Sequence, residues 1–552
     1  MTSKQKFPVS DVTATSGYFS ALKATVETAF YGNNVQAVTT IAAAYALAKK
    51  APGVIVTDLP VQHASELGLP EDARVLVAND GQVVGRTAAA RRIIGQPGVD
   101  TAELTKIARE AVFAGTRKSF LSGHVVVGLS ADFAVEAHLM VPETYANNLY
   151  TYLLNFQIKT PEATQQYEQS RPLPEDDLYL YADPDWHHPD YPDGLAIFDP
   201  LHNAAIILGL RYFGELKKGT LTLAWATAHR NGFVACHGGM KQYQRQDGTF
   251  TMAAFGLSGS GKSTITLTSH GDRYPVKVLH DDAFVIDRQT GATTALEPAY
   301  FDKTQDYPMS DPNTRYFLTV QNVGVTLDDH GKKTLVTQDI RNGNGRTVKS
   351  RYVTPNRVDH LVESVDAIFW IMKDDALPPV VKVEDPSLAA AFGATLATKR
   401  STAENVRADV DREQLVIEPF ANPFRSYPLG EDYQDFYDLF QQRGTACYIL
   451  NTGFFQGQKV KPSDTLDAIA AIVDGTAAFK PFGPLPAMRY LSLPNFAVDF
   501  SNSAYRALLR QRLDDRLTFL ADKATVADGY DRLPLAATQA LEKVAAALVE
   551  CS

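Results

Sequence analysis

Residues 255–264 read Phe255-Gly256-Leu257-Ser258-Gly259-Ser260-Gly261-Lys262-Ser263-Thr264. Gly256, Gly261, Lys262 and Ser263 fit the spacing G-x-x-x-x-G-K-[ST]. In that pattern glycines let successive backbone N–H groups converge on phosphate oxygens, and the following helix adds the positive end of its dipole. Lys262 then reaches the outer phosphates as a point charge, and the Ser263 hydroxyl ligates a nucleotide-bound magnesium ion. A glycine-rich turn that binds nothing shares the spacing, so the flanks decide. Thr251-Met252-Ala253-Ala254-Phe255 reads as a short apolar strand and Ser263 to Thr268 can open a helix. Strand, loop and helix in that order predict a nucleotide site in an α/β fold.

Downstream, Val276-Lys277-Val278-Leu279-His280 is an apolar strand ending in Asp281-Asp282. An acid at the end of a neighbouring strand holds the magnesium shell in phosphate-loop enzymes, because a hard cation takes oxygen ligands. Paired acids are also common turn residues, so the pair alone decides nothing. Upstream, Val234-Ala235-Cys236-His237-Gly238-Gly239 puts a histidine at an apolar strand one strand before the loop. A lone histidine there is more often a core residue than a ligand, and its neighbours are what single it out. Arg211-Tyr212-Phe213-Gly214-Glu215-Leu216-Lys217-Lys218-Gly219 sets two lysines and a tyrosine between expected strands. Gly85-Arg86-Thr87-Ala88-Ala89-Ala90-Arg91-Arg92 is either a solvated basic helix start or a rigid arginine that clamps a carboxylate bidentately. Trp186-His187-His188-Pro189-Asp190 reads as a loop, since adjacent histidines cannot face one ion as i, i+4 pairs do.

At 552 residues the chain exceeds what one core serves, so two or more domains are expected. Its 45% hydrophobic and 21% charged residues are those of a globular protein. Fifty-three basic against 63 acidic side chains, net −10, disfavour broad nucleic-acid binding. Cys236, Cys447 and Cys551 are too scattered for a disulfide framework or a C-x-x-C zinc site, and fit a reducing cytoplasm. No signal peptide and no membrane-length apolar run is read.

Periodicity predicts helix over 16–48, broken near Tyr31-Gly32-Asn33-Asn34, over 101–121 and over 143–158, and a closing helix over 533–549. It predicts strands at 54–56, 75–77, 124–129, 317–327, 333–336, 367–372 and 447–450. The stretch 172–194, rich in Pro, Asp, Tyr and Trp, reads as irregular surface, and Asn342-Gly343-Asn344-Gly345 as a turn. Asn451-Thr452-Gly453 is a polar turn at the carboxyl end of a strand, where open α/β folds place ligands.

Together these segments resemble the ATP-type phosphoenolpyruvate carboxykinases over nearly the whole chain, as a divergent member. Gly256 to Thr264 is close to that family's Gly-Leu-Ser-Gly-Thr-Gly-Lys-Thr-Thr loop, including the Leu-Ser that generic phosphate loops lack. Tyr212 to Gly219 is similar to its Tyr-Gly-Gly-Glu-Met-Lys-Lys-Gly. The resemblance implies a two-domain α/β fold, with a substrate-binding domain over 1–235 and a P-loop-containing mononucleotide-binding domain over 236–552. It implies Lys218, His237 and Asp282 as ligands of a substrate-site Mn2+, with Ser263 on the Mg2+ of ATP. Arg86, Tyr212, Lys218 and Arg351 would bind substrate, Arg351 standing three residues before Thr354-Pro355 as in the family's Asn-Thr-Arg-Val-Ser-Tyr-Pro. Lys218, Lys262, Arg351 and Asp281 form the expected catalytic set. Gly256, Ser258, Gly259, Ser260, Gly261, Lys262, Ser263 and Thr264 would line the phosphates, and Lys303, Lys459, Val460 and Thr465 the base and ribose. Ala376-Leu377-Pro378-Pro379, Glu418-Pro419 and Asn451-Thr452-Gly453 fall in family order.

The implied reaction converts oxaloacetate and ATP to phosphoenolpyruvate, CO2 and ADP in the cytoplasm, without nucleic acid or membrane. Departures stand beside the matches. Ala283 and Phe284 replace the Glu and His that follow the paired aspartates, Gly238-Gly239-Met240 replaces Cys-Ser-Ala, and Thr87-Ala88-Ala89 replaces Ser-Pro-Lys. A same-fold kinase acting on another small anion without decarboxylation, and a nucleotide-binding regulator without turnover, are the alternative expectations. Every position expected to touch metal, phosphate or carboxylate keeps a competent residue.

Overall fold

A computed structural model describes residues 8–11, 13, 17–79, 89–257, 259–338, 344–399 and 415–549. It is a mixed α/β structure in two compact units. Among the described residues, the first unit holds those up to 231 together with 294–355, and the second holds 232–293, 356–399 and 415 onward. The units are therefore not one cut of the chain: residues 294–355 return to the first.

The first unit is built on a mixed eight-stranded sheet. Its order is Val35–Val38, Phe120–Val127, Val135–Pro142, Leu178–Asp183, Ala204–Leu208, Leu195–Asp199 and Arg91–Ile93, with Gln157–Ile158 added beside Phe120–Val127. Leu178–Asp183 lies between two parallel neighbours and is buried throughout. The helices Ala21–Ala29 and Thr101–Gly115 send Leu22, Val26, Leu104, Ile107 and Ala111 into a core shared with Ile197, Ile206 and Leu208. The helix Phe213–Arg230 also packs on this sheet. A Cβ at Gly219 would meet Ile207 Cδ1 at 3.0 Å and Leu180 Cδ2 at 3.3 Å, so the missing side chain sets how closely the helix approaches. A second sheet of five strands runs Tyr300–Lys303, Arg346–Lys349, Phe317–Gln321, Arg74–Ala78 and Ile55–Pro60.

The second unit carries another eight-stranded sheet. Its order is Val276–Asp281, Gly239–Arg245, Gly248–Phe255, Ala367–Met372, Ala446–Asn451, Val380–Val383, Met488–Leu491 and Phe479–Pro481. Gly248–Phe255, Ala367–Met372 and Ala446–Asn451 are mutually parallel. Strands covered on both faces need apolar residues at every position, hence the unbroken run of Ala367–Met372. Ala367, Phe369 and Ile371 meet Ala468, Ile469, Ile472 and Val473 of the helix Pro462–Val473 on one face. On the other face Trp370 packs on Phe420 and Phe436 and donates its indole N–H to the Ala389 carbonyl at 3.0 Å. Each such side chain contributes about 1.5–3 kcal/mol relative to exposure.

Three local expectations are corrected and one is refined. Residues 16–48 form two helices, Ala21–Ala29 and Ile41–Ala48, with the strand Val35–Val38 between them. The supposed irregular surface at 172–194 contains the central strand Leu178–Asp183. Lys217 and Lys218 do lie between strands, Ala204–Leu208 and Phe233–Cys236, on the helix Phe213–Arg230. Arg91 lies on a strand at the sheet edge, its guanidinium 4.3 Å over the Phe198 ring and donating to Thr222 Oγ1 at 2.7 Å, and is no solvated helix start. Burial pulls that guanidinium down to about 10, against the opposing charge of Glu215. Among the described residues no helix is long and apolar enough to cross a membrane.

Candidate active site

In the second unit the strand Gly248–Phe255 runs into a glycine loop, and the helix Lys262–Leu267 follows. Gly259 and Gly261 take φ of 79° and 98°, a conformation that suits glycine. A Cβ on Gly256 would lie 2.4 Å from Ser260 Oγ and 2.9 Å from Ile371 Cβ, so the loop folds tightly against the adjacent parallel strand. The Asn451-Thr452-Gly453 turn supports it. Thr452 Oγ1 donates to the Ser260 carbonyl at 2.8 Å, and its amide donates to Met372 O at 3.0 Å. Asn451 Nδ2 donates to the carbonyls of Asp374, Leu377 and Phe454 at 2.6–2.8 Å.

His237 and Asp282 are brought together by their strands. Phe233–Cys236 and Phe284–Asp287 pair antiparallel with Cys236 opposite Phe284. The next backbone pair is Gly238 with Asp282, exchanging hydrogen bonds of 3.2 and 3.0 Å. His237 Nδ1 donates to the Ala421 carbonyl at 2.5 Å, which presents Nε2 to Asp282 Oδ1 at 2.7 Å. Lys262 Nζ lies 3.4 Å from the same carboxylate oxygen. Phe424 stands edge-on to the imidazole at 5.5 Å. The positioning carbonyl belongs to a turn in which Phe420 and Ala421 take φ of 53° and 52°, a strained conformation for side-chain-bearing residues. Phe420 is held there by stacking on Phe436 at 4.7 Å.

This geometry suits a divalent cation. Ligand bonds of about 2.1 Å to one ion put adjacent donor atoms roughly 3 Å apart, close to the His237–Asp282 spacing. One imidazole nitrogen and one carboxylate oxygen are donors that first-row divalent ions accept. Cys236, beside His237, is fully buried, and that burial, then Asp432 and Asp435, push its thiol well above the ordinary cysteine range. Asp281 ends its strand opposite Gly239, where a Cβ would meet Asp281 Oδ1 at 3.1 Å and Thr266 Oγ1 at 2.0 Å. The helix bearing Lys262 and Ser263 is therefore seated directly on the strand Gly239–Arg245. Ser263 is half-buried and Thr264 exposed on its first turn. Phe284 and Ala283 are fully buried and supply no polar group.

In the first unit Tyr212 precedes the helix Phe213–Arg230, its ring 6.0 Å from Phe301. Lys217 is fully buried and paired with Glu297 at 2.9 Å, while Lys218 is half-buried, its ammonium 5.8 Å over the Trp225 ring. Lys303 is buried and opposite Arg346 in the strand pair, and Lys349 bonds Asp302 at 2.8 Å. Burial would raise the Asp302 carboxyl, but the Lys349 ammonium outweighs it and holds the group below its usual range. Arg351 opens the short turn Arg351–Val353.

Of the other expected nucleotide contacts, Lys459 is exposed, Val460 is buried with its amide donating to Gly453 O at 3.0 Å, and Thr465 is buried on the helix Pro462–Val473. Arg86 and Ser258 lie outside the described residues. Two features escaped the reading of the sequence. One is the Ala421 carbonyl on His237, which carries no side-chain signal. The other is a cluster of His124, Glu136, His138 and Asp177 in the first unit, for which the only trace is a Glu-x-His alternation at 136–138.

The fold and site define a mixed α/β protein in which a strand, a glycine loop and a helix meet an imidazole–carboxylate–ammonium group. The family model described as phosphoenolpyruvate carboxykinase matches residues 63–495, and the chain belongs to that family. A phosphoenolpyruvate carboxykinase (ATP) of Aeropyrum pernix is 26% identical over 304 residues, 53% of this chain and 60% of that protein. A phosphoenolpyruvate carboxykinase (ATP) of Eremothecium gossypii is 23% identical over 465 residues, 76% of this chain and 80% of that one. The match to the Aeropyrum protein thus spans about three fifths of its length.

Proposed function

We propose that the chain is an ATP-dependent carboxykinase that converts oxaloacetate and ATP to phosphoenolpyruvate, CO2 and ADP. The observation that carries this reading is the convergence of His237 Nε2, Asp282 Oδ1 and Lys262 Nζ at the end of the glycine loop, in a chain of this family. His237, Asp282 and Lys218 would hold a Mn2+, and Ser263 the Mg2+ that accompanies ATP. When bound, these cations supply Lewis-acid stabilisation of charge on the substrate and phosphate oxygens.

The loop amides and Lys262 bind the triphosphate, and Asp281 orients the water shell around it. Arg86 and Tyr212 hold the oxaloacetate carboxylates, so that the C–C bond to the departing CO2 and the oxygen that receives its electron pair stay aligned. That oxygen attacks the γ-phosphorus, the bond to the β-phosphate bridging oxygen breaks, and ADP leaves with the electron pair. Arg351 and Lys262 balance the charge spread over the transferring group. Lys459, Val460, Thr465 and Lys303 are assigned to the nucleoside.

The burial of Ala283 and Phe284, where the family pattern has Glu and His, supports a second reading: phosphoryl transfer to another small anion. A steady-state assay with oxaloacetate, ATP and Mn2+ separates the two. Equimolar CO2 and ADP, absent in Lys218→Ala, are expected. ADP formation without CO2 would replace the first reading by the second, and no turnover with any phosphoryl donor would remove both.

A further inference from the structure

The sheet of the first unit carries a second group of ligating side chains, remote in sequence from every residue assigned above. His124 and His138 are directly opposite each other on the antiparallel strands Phe120–Val127 and Val135–Pro142. Their rings stack at 4.0 Å. Glu136 is two residues before His138 and so shares its face of the sheet. Asp177 immediately precedes the neighbouring strand Leu178–Asp183, in which Tyr179 is opposite His138. His124 Nε2 lies 3.1 Å from Glu136 Oε2, and His138 Nε2 lies 3.0 Å from Asp177 Oδ2. One donor atom from each of the four falls within 4.8 Å of all the others.

We propose that His124, Glu136, His138 and Asp177 form a binding site for a divalent transition cation of the zinc class. Two imidazoles and two carboxylates are the donor set such ions take with four ligands. Both carboxylates are nearly inaccessible, with side-chain exposures of 1% and 6%, so neither is a casual surface acid. Lys159 occupies Glu136 Oε1 at 2.5 Å, which leaves Oε2 as the atom turned to the histidines. Lys23 pairs with Glu27 and Asp176 and Lys159 with Glu136, whereas the Asp177 carboxylate is met by His138. Entry is open, because a cavity of about 300 Å³ lined by Val38, Ser122, His124, His138 and Lys159 reaches the exposed edge of His124. Tetrahedral ligation with bonds of about 2.1 Å spaces donors roughly 3.4 Å apart, so no pair needs to close by more than about 1.4 Å on binding.

The test uses the full chain carrying His237→Gln, so that the proposed catalytic cation site does not contribute, stripped with a chelator and titrated with Co2+ as an optical stand-in for Zn2+. A visible d–d band saturating at one equivalent, and a rise in melting temperature with Zn2+, are expected. His124→Gln, at the half-exposed position, should lose both without altering the far-ultraviolet spectrum, and His138→Gln should lose the band. A His237→Gln chain that binds neither ion, or a band that survives when His124→Gln is added to it, would each overturn the assignment.

Discussion

Lys241 offers a quantitative test of the packing beneath the glycine loop. It is fully buried on the strand Gly239–Arg245, with Nζ 4.5 Å over the Tyr243 ring and donating to the Thr268 carbonyl at 2.8 Å. Thr268 caps the helix that begins at Lys262, so this amine ties down the far end of that helix. Burial pulls its titration from the ordinary 10.5 down to about 7. Between those values the unfolded chain binds a proton that the folded chain does not, and stability therefore rises with pH. The contribution is fully present above pH 10.5 and is lost as the pH falls through 7. Its slope approaches about 1.4 kcal/mol per pH unit, and the whole effect is on the order of 5 kcal/mol. Lys241→Met keeps the stem and removes the titration, while leaving the Thr268 carbonyl unmet at a cost of about 1–3 kcal/mol. The variant should thus be more stable than the parent by about 2–4 kcal/mol near pH 6.5, the difference of those two effects. That advantage should shrink by about 1.4 kcal/mol per unit between pH 7.5 and 10. Urea unfolding across this range, read by hydrogen exchange of the strand Ala367–Met372, measures the difference directly. An advantage that does not change with pH would refute the argument, because then Lys241 titrates alike in both states.

Gly239→Ala should destabilise by about 1–3 kcal/mol, since its Cβ would lie 2.0 Å from Thr266 Oγ1 on the helix carrying Lys262. It should also weaken ATP binding, and a calorimetric affinity equal to the parent's would count against that seating. Glu297→Gln leaves the Lys217 ammonium buried without its carboxylate and should cost about 3–5 kcal/mol in denaturant titrations. The Lys217→Met/Glu297→Met pair should recover most of that loss. Asp282→Asn removes the negative charge shared by His237 and Lys262, and should lower carboxykinase turnover by at least about 100-fold with folding intact. Turnover near the parent's would remove Asp282 from the proposed site.

The parts of this molecule that could be read from its residues are those whose cause is local. The glycine loop is legible because its spacing and flanks are contiguous, and Ala367–Met372 because a strand covered on both faces must be apolar throughout. Leu178–Asp183 was obscured by its setting. Its tyrosines and aspartate suggest surface, yet two parallel neighbours bury every position, a decision made by strands at 135–142 and 204–208. The helix Phe213–Arg230 was hidden for the opposite reason: glycines at 214 and 219 and threonines at 220, 222 and 227 are weak helix formers. Contact with the sheet at Gly219 requires that residue to be small, so packing overrides propensity there and the helix carries Lys217 and Lys218. The site divides along the same line. Cys236 opposite Phe284 is a register between the strand read at 234–236 and a strand, Phe284–Asp287, that only the structure reveals, and it delivers His237 to Asp282. The ring atom that His237 turns toward the carboxylate is instead chosen by a carbonyl 184 residues away, in a turn strained at Phe420 and Ala421. A residue type can advertise that it ligates; only the distant backbone that holds it can say with which atom, and that is why His237 could be singled out from its neighbours while its orientation could not.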